Sequence, residues 1–428
     1  ETPGVGFDLL RVKRRKARRQ ERSPGEPASG DMILENGRTR VTVDRESGEI
    51  TSLVDKAEGR ECIRPGGAGN RLVFLEDDRQ AMPAWSIKYT GRILDPGKVT
   101  GADIVEEGPV RQAVRVVRSV QLDPDGPPTV INQTFTLEAD SPVVRVATDG
   151  DWQAAQVHLK VVFDFDIDPN SVAADAPYAV AERAAETTKP VGRADADTSA
   201  EDRGGTGGRE PEDEDRHMQK WLDVSDGARS ILILNDGIYG YDVQGTEIRL
   251  SLLRSQRDPS SRAITGRGPF RATYGILPHA GGWREAGAPG LGYEFNNPMI
   301  VRNVQQYYDT ETRMGDVDRD WWDACADASA DGLDTGFVRL TQQTSTLVTA
   351  VKRSEDGQGI VLRLVETQGE QDRALIECSR PVQAVKETDM LERPLSEQQT
   401  GAVEQTAPSE IAVAMKPWEI KTLSVRVP

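Results

Sequence analysis

Val157, Leu159, Val161, Phe163, Phe165 and Ile167 occupy every second position of one short run. His158, Lys160, Asp164, Asp166 and Asp168 stand between them, with Val162 the exception. A period of two predicts a β-strand with one dry and one wet face. The same reading predicts strands over Thr39–Asp44, Glu49–Val54, Ala113–Leu122 and Val130–Leu137. It predicts others over Ser230–Leu234, Glu247–Leu253, Gly359–Val365 and Ile420–Val427. Asp44-Arg45-Glu46-Ser47-Gly48 reads as the glycine-containing loop of a hairpin. No long segment keeps a helical period of 3.6. Many short strands with frequent turn signals predict an all-β chain of antiparallel β-sandwiches.

Three stretches break the pattern. Residues 1–30 carry a basic run (Arg11, Lys13, Arg14, Arg15, Lys16, Arg18, Arg19, Arg22), then Pro24, Gly25, Pro27 and Gly30. They read as a solvated linker lying on an acidic body, with a nucleic-acid or membrane tether as the alternative. Residues 184–215 are acidic, with Val191 the sole aliphatic within ETTKPVGRADADTSAEDRGGTGGREPEDED, and predict a long disordered loop. Residues 304–335 read as an irregular connector holding Trp321 and Trp322. The remainder divides into a large β-sandwich domain over 31–303 and a C-terminal β-sandwich over 336–428.

Composition narrows the functions. The net charge is −17, which argues against a nucleic-acid partner for the body, since phosphate binding needs a basic face. Only 12 of the 53 basic residues are lysine; salt adaptation and a GC-rich genome both produce that bias. No run reaches the roughly 18 apolar residues of a membrane helix, and no signal-peptide core follows the first residues. Cys62, Cys325 and Cys378 cannot all pair and lack metal-ligand spacing, so a reducing compartment is expected, and the location is expected to be cytoplasmic, with a prokaryotic source expected alongside it.

The usual catalytic motifs are missing. There is no Gly-x-Ser-x-Gly elbow, no His-Glu-x-x-His, and no phosphate loop: Gly204-Gly205-Thr206-Gly207-Gly208 has no Lys-Ser/Thr after it. His158, His217 and His279 have no ligand partner at close spacing, so no metal site and no catalytic residue is assigned to this chain. What remains is a set of polar and aromatic loops. Asn235, Asp236, Tyr239 and Tyr241 follow one strand; His279 and Trp283 follow another; Tyr293 to Pro298 form a third loop. Amides, carboxylates and aromatic rings over a rigid sheet suit sugar hydroxyls and C–H faces. The same Asn, Asp and Gly also suit plain turn packing.

Several of these segments carry a family resemblance. Trp221 to Val243 (WLDVSDGARSILILNDGIYGYDV), Leu250 to Ser255, Tyr274 to Trp283 (YGILPHAGGW) and Tyr293 to Pro298 resemble the C-terminal region of family 38 glycoside hydrolases, the α-mannosidases of bacterial and cytosolic type. Leu34-Glu35-Asn36-Gly37, Ile50 to Lys56, Gly69 to Leu72 and Asp151-Trp152 fit the start of that region. Leu391 to Pro394 and Lys416 to Leu423 fit its closing strands. The segments are collinear from about residue 31 onward. One departure is Ala181-Glu182-Arg183-Ala184, standing where such enzymes carry a Glu-Arg-Pro-Thr-His-like stretch.

The resemblance implies a galactose-mutarotase-like supersandwich followed by a small sandwich. It also implies that the chemistry sits elsewhere: a zinc ion held by two His and two Asp, an Asp nucleophile and an acid/base carboxylate belong to an N-terminal catalytic domain and helical domain. None of those motifs is in these residues, so the chain is expected to be the C-terminal part of a retaining α-mannosidase, cut or encoded separately and inactive alone. Its expected partners are an α-mannoside or oligosaccharide and the catalytic domain, with no membrane; homo-oligomerisation stays open. On that reading Asn235, Asp236, Tyr239, Tyr241, His279 and Trp283 gather at one end of the large sandwich and bind substrate. A free-standing carbohydrate-binding or assembly module is the competing reading.

Overall fold

A computed structural model describes residues 5–8, 30–78, 87–124, 126–185, 215–257, 264–299, 334–342, 344–396, 401 and 403–427. Most of the 184–215 stretch, the basic run and the 304–333 stretch lie outside the described residues. The chain folds as two compact units, Glu26–Pro298 and Glu1–Gly25 together with Met299–Pro428.

The larger unit is built on a nine-stranded antiparallel sheet. Its spatial order is Ala179–Ala184, Ser171–Ala176, Trp221–Ser225, Arg229–Asp236, Gly268–Ala280, Val144–Trp152, Thr129–Glu138, Arg111–Val120 and Lys98–Glu107. A six-stranded sheet runs Arg216–His217, Gly240–Gln244, Glu247–Ser255, Val157–Asp164, Arg71–Asp77 and Tyr89–Leu94. A four-stranded sheet holds Met32–Glu35, Thr39–Val43, Ile50–Asp55 and Arg60–Glu61. The alternating apolar positions of all three meet in one core, which includes Val41, Phe135, Trp152, Val161, Phe163 and Tyr274. The hairpin at 44–48 closes through Asp44, whose carboxylate accepts the Ser47 N–H at 2.6 Å, with Gly48 at a φ of 71°.

The strand Val157–Asp164 departs from the expected wet face. His158 and Lys160 are as buried as their apolar neighbours. Their face is covered by polar groups remote in sequence, Tyr89 and Asp215.

The second face of the nine-stranded sheet carries its own cluster. Trp221, Leu232, Leu234 and Leu277 pack under Trp283, Ala288 and Phe295. The last two belong to the helix Ala288–Asn296, which starts after Gly287 with Pro289 in its first turn. The pattern along the chain did not predict this helix, and Tyr293 to Asn296 are helical rather than loop. Two glycines weaken its periodicity, and one of them is required: a Cβ on Gly292 would lie 2.8 Å from the Trp221 ring.

In the smaller unit a five-stranded sheet (Val5–Asp8, Asp334–Leu340, Asp372–Cys378, Glu410–Met415, Val403–Ala407) faces a four-stranded one (Thr346–Arg353, Ile360–Glu366, Ile420–Arg426, Ala384–Thr388) around Leu362, Ile376, Val413 and Leu423. Val5–Asp8 pairs antiparallel with Asp334–Leu340. Four residues of the expected N-terminal linker are therefore part of this sandwich. No helix among the described residues is long and apolar enough to cross a membrane, which says nothing about strands.

Candidate functional site

The strand Arg229–Asp236 alternates cleanly. Ile231 and Ile233 point into the main core, while Leu232 and Leu234 point into the cluster under the helix. Its register with Gly268–Ala280 pairs Ser230 with His279 and Asp236 with Thr273. Asp236 and His279 therefore stand at opposite ends of one ladder, about 20 Å apart at roughly 3.3 Å per residue. The expectation that all six predicted residues gather at one end is not met. A pattern of strands and loops does not say which end of a ladder each loop occupies.

At the Asp236 end, Asn235 builds the turn. It is fully buried, its Nδ2 donates to the Gln219 carbonyl at 2.8 Å, and its Oδ1 accepts the Ile238 N–H at 2.9 Å. Its own N–H donates to the Lys220 carbonyl, and Asn296 Nδ2 donates to its carbonyl, each at 2.9 Å. The turn continues through Gly237 at a φ of 79°. Around that fixed point Asp236 is exposed and Tyr239 is 54% exposed. The Tyr239 ring lies 5.4 Å from that of His217, centroid to centroid. Asp236 also faces Arg145, whose guanidinium covers the Phe295 ring at 3.9 Å.

Groups beyond the six predicted residues complete this end. Lys220 places its ammonium 4.7 Å from the Tyr293 ring centre and 3.5 Å from the Asp175 carboxylate. Burial pushes the Asp175 carboxyl up, with Lys220 opposing it. Tyr178, at the tip of the adjoining hairpin, is half exposed. The one signal available was the aromatic and charged character of Tyr178, His217, Lys220 and Tyr293, which are scattered over more than a hundred residues.

At the opposite end, His279 Nε2 meets Asp223 Oδ2 at 2.8 Å, and its Nδ1 lies 3.0 Å from the Ala280 carbonyl. Burial alone would lower the His279 pKa; the Asp223 carboxylate outweighs it and holds it above the ordinary value. Burial pushes Asp223 up as well, with His279 opposing. Ser230 Oγ donates to the Gly281 carbonyl at 2.6 Å, tying down the same bend. Trp283 follows this bend in sequence, but its ring reaches back over the sheet: it is buried and stacked on Trp221, the register partner of Leu234, with centroids 5.4 Å apart. Its Nε1 donates to Glu182 at 2.5 Å, and Arg284 reaches the same carboxylate at 2.9 Å. Glu182 thus gives the divergent 181–184 segment a structural task. Trp283 fills a packing position in the described residues.

Tyr241 lies in the six-stranded sheet and is buried in the main core. Its hydroxyl accepts from Arg183 at 3.2 Å, and burial holds its pKa above the ordinary value.

A buried ionic group lies on that sheet. Lys160 Nζ donates to Asp215 at 2.5 Å and also to Asp242. Asp215 further accepts from Ser251. Burial pushes its pKa up, but Lys160 outweighs this and leaves it lowered. His158 Nδ1 lies 2.8 Å from the Tyr89 hydroxyl, and burial takes its pKa down to about 3, so it is neutral. Arg254 grips Asp77 with two bonds of 2.7 and 2.9 Å. Lys160 bridges the Asp215 and Asp242 carboxylates, Arg249 lies 3.9 Å from Asp242, and Arg254 pairs with Asp77, so the group ties neighbouring strands of the sheet together. Among the described residues no three His, Cys, Asp or Glu side chains are placed to hold a metal ion. The zinc implied by the family resemblance therefore has no fitting ligand set among them.

The described residues form two compact all-β units, and the larger carries a polar, aromatic turn end over a closed core. Comparison supplies the family. Residues 34–262, more than half of the chain, match the model for the glycosyl hydrolases family 38 C-terminal domain, and residues 346–423 match the family 38 C-terminal beta sandwich domain. The chain belongs to glycoside hydrolase family 38. It is similar to alpha-mannosidase 2C1 of Homo sapiens, 27% identical over 368 residues, covering 85% of this chain and 31% of that protein. It is equally similar to alpha-mannosidase G of Dictyostelium discoideum, 27% identical over 378 residues, covering 86% and 31%. Among solved structures, an alpha-mannosidase from Enterococcus faecalis V583 shares the fold, with a TM-score of 0.65 at 16% identity over 94% of this chain and 42% of that one. The chain thus spans about a third of the length of the curated relatives it matches.

Proposed function

We propose that this chain is the non-catalytic C-terminal part of a retaining α-mannosidase, and that it supports the catalytic domain and lends a turn to the sugar cleft. The observation that carries the reading is the division of labour at one turn. Asn235 is fully buried and hydrogen-bonded, while Asp236 and Tyr239 beside it stay exposed on the turn those bonds close. A carboxylate and a tyrosine held this way can bind sugar hydroxyls without first being ordered, which lowers the entropic cost of binding. Membership of family 38, and relatives named as alpha-mannosidases, support the substrate class. Within this reading His279 anchors the far end of the ladder, Trp283 packs on Trp221 over the sheet's second face, and Tyr241 anchors the second sheet. The two carboxylates of double displacement and the zinc ion belong to the catalytic domain. The described residues of this chain bind, orient and support.

The direct test is an assay of the purified 428-residue chain on an aryl α-mannoside with added zinc. No turnover is expected. Zinc-dependent turnover by the chain alone would overturn the assignment.

A further inference from the structure

The turn at Asp236 and Tyr239 continues into a wider surface at the same end of the nine-stranded sheet. The Met218 N–H donates to the Tyr239 carbonyl at 2.9 Å, which joins the turn to the 217–220 segment. The Gln219 N–H donates to the Asp175 carbonyl at 2.9 Å, and the Lys220 N–H to the Asp175 carboxylate at 3.0 Å. These bonds join that segment to the hairpin of Ser171–Ala176 and Ala179–Ala184. Tyr239 and Tyr178, at the two extremes, are 54% and 52% exposed. Tyr293 lies close enough to Tyr178 for the two hydroxyls to influence each other, with the Lys220 ammonium 4.7 Å from its ring centre.

Tyr178 is oddly chosen for its position. It sits at the hairpin tip with a φ of 56°, left-handed backbone that favours Gly or Asn and disfavours a bulky ring. Folding stability alone would select against tyrosine there, whereas a binding role would retain it. The end of the strand Arg229–Asp236 and this hairpin are two interstrand spacings apart, roughly 10 Å. That is more than one hexose ring covers.

Resting on the reading that this end binds sugar, we propose that the site is extended: Asp175, Tyr178, His217, Lys220, Tyr239 and Tyr293 form a platform for an α-linked oligosaccharide of at least two rings. The tyrosine faces cover sugar C–H surfaces, while Lys220 donates to and Asp175 accepts from hydroxyls.

The test uses the full 428-residue chain with α-linked mannotriose and methyl α-mannoside as probes, read by saturation-transfer NMR. Mannotriose should receive saturation on at least two rings and bind more tightly than methyl α-mannoside. Tyr178→Asn should weaken mannotriose binding about fivefold or more, while the melting temperature holds or rises because the left-handed position is relieved. Lys220→Met, which leaves the backbone untouched, should weaken it comparably. No transfer to mannotriose, as when this surface instead takes a protein domain, would overturn the proposal. So would binding unaffected by both variants, or a Tyr178→Asn chain that loses stability. A restored enzyme that still needs Asp236 for aryl α-mannoside turnover would in those cases sink the platform and leave the cleft reading standing.

Discussion

The side-chain amide of Asn235 donates to the Gln219 carbonyl at 2.8 Å while its oxygen accepts the Ile238 N–H at 2.9 Å. One side chain thereby closes the turn after its own strand and fastens it to the segment entering the next. Asn235→Ala removes both bonds and leaves a buried carbonyl and N–H without partners. A loss of about 1–3 kcal/mol of stability is expected, measurable by urea denaturation. A loss under a few tenths would show that the turn is held by its backbone alone.

Lys160 stands between two carboxylates, Asp215 and Asp242, with its side chain almost wholly buried. Lys160→Met would remove the cation that bridges the pair, leaving, among the described residues, only Arg249, 3.9 Å from Asp242. Removing one partner of a buried ion group costs about 3–5 kcal/mol, so the variant should unfold at markedly lower denaturant or not accumulate. Unchanged stability would mean the group is hydrated and loosely coupled.

The neighbouring His158 sets an acid limit. Its folded pKa is about 3, depressed by burial, whereas the unfolded chain takes up that proton near its ordinary value of 6.5. Between those values the unfolded state binds more protons, so stability falls as pH falls through the window. Asp215, with a lowered folded pKa, adds the same sign lower down. Denaturation midpoints at pH 7.5 and pH 5 should fall further for the native chain than for His158→Gln. Equal slopes would contradict the burial argument.

His279 carries the opposite sign. Its folded pKa is raised above 6.5 by Asp223, so its stabilising charge is fully present below 6.5 and is lost as pH rises through the folded value. Asp223, pushed up by burial, acts in the same direction at lower pH. His279→Gln should therefore cost stability at pH 6 and much less at pH 9. A cost independent of pH would place the role of His279 in packing.

The presence of period-two strands was legible because apolar alternation is local: the strand Val157–Asp164 and the hairpin at Asp44–Gly48 stand where the pattern puts them. The sign of a strand's second face was not. His158 and Lys160 look solvated until Tyr89 and Asp215, some 69 and 55 positions away, close over them. The helix Ala288–Asn296 escaped because its apolar face is only Ala288, Pro289, Gly292 and Phe295, too small to show a period. At the candidate site, residue types pointed to the turn at Asn235 and Asp236. Strand register, which separates His279 from Asp236, and the convergence of Asp175, Tyr178 and Lys220 are products of long-range pairing that no window of sequence contains.

The central claim is that Asp236 serves substrate while its neighbour Asn235 serves the fold. The most direct measurement is kcat/KM on an aryl α-mannoside, with melting temperature alongside, for Asp236→Ala in the enzyme restored by joining this chain to a family 38 catalytic half. Loss of a charged hydrogen bond to the sugar, worth about 1.5–3 kcal/mol, predicts a fall of roughly tenfold or more in kcat/KM with the melting temperature nearly unchanged. A large drop in melting temperature with kinetics intact in the folded fraction would contradict the account and assign Asp236 to the scaffold.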